Sequence, residues 1–134
     1  MELENILYAG VQIAHNFGAA AVTGLPIAAL WLAPARSTLR KMAWLTLLAW
    51  VAQGASGASF GTVSFFMEGQ LPQIHYIAWA ALGVKIVCAL LAITLLTINL
   101  LVRVEVAPDN RMWTILAVLG VTALTCAAIL RWFS

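Results

Sequence analysis

Residues 74–102, IHYIAWAALGVKIVCALLAITLLTINLLV, decide the fold class: the run is apolar almost throughout and carries one charged side chain, Lys85. A bilayer core roughly 30 Å thick needs about 20 consecutive apolar residues, so this run is long enough to cross one as a helix. Working outward, residues 6–32, 42–67 and 112–133 repeat the pattern, the first stopping at Pro34 and Arg36 and the second at Glu68. With 63% of its residues apolar and only 9% charged, the chain has too little polar surface to cover a soluble core. The expected fold is all-α, a single integral membrane four-helix bundle over residues 1–134. Connections this short leave no room for a soluble domain.

The first run starts Met1-Glu2-Leu3-Glu4, without the basic residues that open a signal peptide, and is too long for a signal's apolar segment. A retained span is therefore expected. Arg36, Arg40 and Lys41 fall between runs one and two, and Arg103 and Arg111 around the connection of runs three and four. Glu2, Glu4 and Glu68 fall at the opposite ends, with Arg131 as the basic residue there. The excess of Lys and Arg marks the cytoplasmic side, which places both termini outside, in the periplasm of a bacterium. Trp31, Trp44 and Trp113 then belong to the inner boundary and Tyr8, Tyr76, Trp79 and Trp132 to the outer one, where amphipathic rings favour the interface. The basic residues are thereby explained by topology, and no nucleic-acid binding is inferred from the net charge of +2.

Polar side chains within the spans are costly in hydrocarbon and are the best pointers to function. They include Gln12, His15 and Asn16 in run one, Gln53, Ser56 and Ser59 in run two, Lys85 and Asn99 in run three, and Thr122 and Thr125 in run four. At ~1.5 Å per residue, His15 lies about 13 Å and Lys85 about 15 Å below the outer ends of their helices. They are expected to meet. No Asp or Glu lies within a span to pair with Lys85, so Gln12, His15, Asn16, Gln53 and Lys85 are expected to form one internal polar cluster. At the outer end, Met67, Glu68, Gln70 and His75 bring together a thioether, a carboxylate and an imidazole, donors suited to copper and especially to the cuprous ion. Cys88 and Cys126 differ in estimated depth and read as packing residues rather than a disulfide. Gly54, Gly57 and Gly61, among Ala and Ser, offer a surface for close helix approach. No nucleophile with a base, phosphate-binding loop or paired carboxylates occurs, so the chain is not expected to be an enzyme.

His15 in a first span rich in Gly18, Ala19, Ala20, Ala21 and Gly24, the Gly- and Ser-rich second span, and above all Leu82-Gly83-Val84-Lys85 in a span ending at Asn99 and Arg103 resemble the copper resistance D (CopD-like) membrane domain family. The likeness runs along nearly the whole chain through short motifs. Family members usually carry Trp-Leu-Gly-Gly where this chain has Ala21-Val22-Thr23-Gly24. The resemblance implies a bacterial inner-membrane protein of copper import or handling, often working with a periplasmic copper-binding protein. His15 and Lys85 carry over directly, and His75 in position only. On this reading His15, His75, Met67 and Glu68 are the metal ligands, and a periplasmic copper protein, a second subunit or a second copy of the chain completes the outer site. Two other classes stand beside it: a b-type haem electron-transfer protein, against which the ~13 Å depth difference between the two histidines argues, and a cofactor-free structural subunit of a larger membrane complex.

Overall fold

Where hydrophobic runs lose backbone access to water, the helix is the form that satisfies every N–H and C=O within one segment, and the computed structural model shows four of them. It describes the backbone of residues 2–68, 76–102 and 110–133; within these, the side chains of 2–4, 60, 61, 63–65, 67, 68 and 133 lie outside the described set. The helices are α1 (Glu2–Leu32), α2 (Arg36–Glu68), α3 (Tyr76–Val102) and α4 (Asn110–Phe133). α1, α3 and α4 each contain a segment long and apolar enough to cross a membrane. α2 is the longest at 33 residues, yet the least hydrophobic of the four, because it includes Arg36, Arg40, Lys41 and Glu68 at its ends and Gln53 with a series of glycines and serines between them. The chain is a multi-pass membrane protein folded as a four-helix bundle.

α1 and α2 are joined by three residues, and Ala33 makes the reversal with a φ of 37°. This is the left-handed conformation that commonly closes a helix, here taken by a residue with a Cβ and followed by Pro34, which cannot prolong α1. Ala35 then caps α2: its carbonyl accepts from the Thr38 and Leu39 N–H groups at 2.9 and 3.0 Å.

The helices form a ring. α1 packs on α2 and α4, and α3 packs on α4 and α2, so that α1 and α3 face each other across the diagonal. Buried apolar residues concentrate at the end that holds the α1–α2 connection: Val22 and Ala29 from α1, Leu39, Ala43 and Trp50 from α2, Ala92, Leu96 and Leu100 from α3, and Met112, Trp113 and Leu116 from α4. Trp113, expected at the inner interface, is only 1% exposed and belongs to this core, whereas Trp31, Trp44, Tyr76, Trp79 and Trp132 are exposed as interfacial rings should be. Gly120 seats α4 on α1. A Cβ there would lie 2.6 Å from the Val22 carbonyl oxygen and 3.1 Å from Thr23 Cα, so the two backbones touch where only hydrogen fits. The outward faces carry large apolar side chains, among them Ile13, Phe17, Leu48, Val87, Leu90, Leu101 and Val118, which is what a lipid solvent demands.

Candidate functional site

The polar site lies in the half of the bundle beyond the apolar core, and α1, α2 and α3 each contribute to it. One glycine admits its side chains: a Cβ on Gly18 would sit 3.1 Å from Gln53 Nε2, so the glycine lets the Gln53 amide lie against α1, while Gly57 lies beside the His15 ring, where a Cβ would meet Cε1 at an ordinary contact distance of 3.8 Å. Gln53, 5% exposed, donates from Nε2 to the His15 backbone carbonyl. That contact fixes the orientation of its amide and leaves Oε1 facing elsewhere.

His15 is the centre of the arrangement. Its Nδ1 lies 2.8 Å from Ser56 Oγ, and its Nε2 lies 3.0 Å from Lys85 Nζ. Ser56 Oγ is also 2.7 Å from the Ala52 carbonyl and 3.2 Å from that of Gln53, both of which can only accept. The hydroxyl proton is therefore committed to the backbone, and Oγ accepts from His15 Nδ1–H. The network thus assigns the tautomer: Nδ1 carries the proton and Nε2 offers its lone pair to the Lys85 ammonium. A doubly protonated ring would turn an N–H toward an ammonium with no lone pair between them, so His15 and Lys85 do not both carry a positive charge. The contact spans the diagonal of the ring, which the four-carbon stem of Lys85 makes possible.

Of the five residues expected to cluster, His15, Gln53 and Lys85 converge, joined by Ser56. Gln12 and Asn16 do not join them. They lie on the exposed face of α1, where Gln12 Nε2 donates to Asn16 Oδ1 at 2.9 Å, one turn away. Four other polar residues of the helices return bonds to their own helix: Asn99 to the Leu95 carbonyl, Ser59 to Ala55, Thr125 to Val121 and Thr46 to Met42. Cys88 and Cys126 are buried free thiols, as expected. His75 and Gln70 fall outside the described residues; Met67 and Glu68 close α2, with side chains outside the described set. Among the described residues, no group of three or more His, Cys, Asp and Glu side chains gathers as a metal cage.

A cavity of about 10 Å³ adjoins the cluster, lined by Ala19, Val22, Trp50, Gln53, Lys85, Ala123, Leu124 and Ala127. Polarity along the sequence marks Ser56 but reveals neither its contact with His15 nor this cavity. No family model matches the chain, and no curated protein or solved structure matches it either.

Proposed function

We propose that the chain is a bacterial inner-membrane protein that handles copper ions, with both termini periplasmic and His15 as its intramembrane ligand. The observation that carries the reading is the state of that imidazole. A metal-binding histidine characteristically donates its second ring N–H to an oxygen that orients the ring, and Ser56, itself anchored to the Ala52 carbonyl, does this for His15. Nε2 is thereby set up as a lone-pair donor of a kind suited to copper. Lys85 occupies that lone pair, so a cuprous ion and the ammonium compete for one nitrogen and repel each other across it. Lys85 is then a gate: copper reaches His15 only as the ammonium withdraws.

The resemblance of the first and third spans to CopD-like domains supports the same reading. Met67, Glu68 and His75 would collect copper at the outer surface, and a periplasmic copper protein, a partner subunit or a second copy would complete their coordination. Haem with two histidine ligands fits less well, because at ~1.5 Å per residue His15 and His75 differ in depth by about 13 Å along the sequence.

Copper accumulation in cells expressing wild type, His15→Ala and His75→Ala at matched protein levels tests the proposal. Wild type should change cellular copper relative to an empty vector and His15→Ala should not. Accumulation equal in all strains would overturn it in favour of a structural subunit.

A further inference from the structure

Lys85 presents a problem of charge. An ammonium inside a bundle needs hydrogen-bond acceptors, since each of its three donors otherwise faces a medium that cannot hydrate it. His15 Nε2 takes one donor. Among the described residues of the spans there is no carboxylate to take another. Trp50 presents the complementary problem: it is 1% exposed, and its indole N–H has no hydrogen-bond partner. A buried donor left unpaired forfeits its hydration without replacement and demands an explanation.

Both side chains line the same cavity, and Gln53 lines it with them. Gln53 Nε2 is engaged with the His15 carbonyl, so its Oε1 is the acceptor still to be used. The cavity volume of about 10 Å³ is at the size that admits one water, which takes roughly 10–15 Å³ and looks for two to four polar partners. The remaining walls are Ala19, Val22, Ala123, Leu124 and Ala127, apolar side chains that offer no competing bond.

We propose that the cavity bounded by Lys85, Trp50 and Gln53 is the binding site of a single ordered water, which accepts hydrogen bonds from the Lys85 ammonium and the Trp50 indole and donates one to Gln53 Oε1. Three bonds is the usual complement of a buried water. The water gives Lys85 a second acceptor and turns the site into one continuous chain, from Trp50 through the water, Lys85 and His15 to Ser56 and the Ala52 carbonyl. It explains how a cation is held without a carboxylate, and it is independent of the copper reading.

Trp113 supplies an internal control. It is equally buried and its indole N–H is equally unpartnered, but it does not line this cavity. In ¹⁵N-labelled protein reconstituted in bilayers, with indole signals assigned by Trp50→Phe and Trp113→Phe, magnetisation transfer from water to each indole N–H is measured. Transfer to Trp50 should exceed that to Trp113 at least threefold. Ala127→Val, which fills the cavity while leaving every polar group in place, should lower the Trp50 signal to the Trp113 level. Equal transfer to both indoles in the wild-type protein would overturn the proposal. So would a Trp50 resonance that shifts when chloride replaces gluconate, since the site would then hold an anion.

Discussion

Gly120→Ala measures how tightly α4 is seated on α1. The added Cβ would come within 2.6 Å of the Val22 carbonyl oxygen and 3.2 Å of the Val22 carbonyl carbon, on a backbone that has no side-chain rotamer with which to yield. Relief requires the helices to part by about 0.8 Å, which takes neighbouring contacts well off their optimum. Overpacking of this kind costs about 1–3 kcal/mol, against which the better helix propensity of alanine returns at most about 1 kcal/mol. Gly24→Ala is the matched control, because a Cβ there meets nothing within 4 Å. Thermal unfolding of the purified protein in one detergent, followed by fluorescence-detected size exclusion, should show Gly120→Ala melting below wild type and Gly24→Ala at or slightly above it. Gly120→Ala melting with or above Gly24→Ala would refute the close contact of the two backbones.

The His15–Lys85 contact should appear as coupling in a double-mutant cycle of unfolding free energies. His15→Ala leaves the ammonium without its acceptor and costs about 1–3 kcal/mol, Lys85→Met is close to neutral or stabilising because a buried charge is removed, and the double variant should recover most of the His15→Ala loss; simple additivity contradicts the contact. Ala33→Gly should stabilise the protein by up to about 1 kcal/mol in the same assay, since it removes the Cβ from a left-handed residue, and a lower melting temperature would contradict that geometry. For orientation, Ser37→Cys in a background without Cys88 and Cys126 should resist impermeant maleimide in intact cells and react after the inner membrane is opened. Labelling of intact spheroplasts would reverse the proposed topology.

Hydropathy marked four helical runs correctly but misjudged their ends, because it reports where lipid stops rather than where the helix stops. α2 begins at Arg36, six residues before its apolar run, and α1 at Glu2, since charged residues continue a helix readily once it leaves the bilayer. The meeting of His15 and Lys85 is legible from depth alone: two residues at one level in one small bundle with few other partners tend to find each other, even across its diagonal. Facing was harder. In a soluble helix the polar stripe marks the outside, but here both faces are apolar, so nothing in the sequence separates Gln53, which points inward, from Gln12, which bonds along its own helix. Trp113 was misplaced for the same reason: an aromatic near the end of a span can serve as interface anchor or core, and only the neighbouring helices decide. Ser56 stands out in the sequence only as one of several polar residues on α2, and its role follows from the spatial position of His15 Nδ1.

The account rests on a neutral His15 held by Ser56 and Lys85, and ¹⁵N spectroscopy of the histidine ring in bilayers tests this most directly. With His75→Gln used to isolate the signal, Nδ1 should carry the proton and Nε2 should resonate as an unprotonated nitrogen accepting a hydrogen bond, with Nε2 moving further toward a free lone pair in Lys85→Met. A proton on Nε2, or a spectrum unchanged by Lys85→Met, would contradict the central contact.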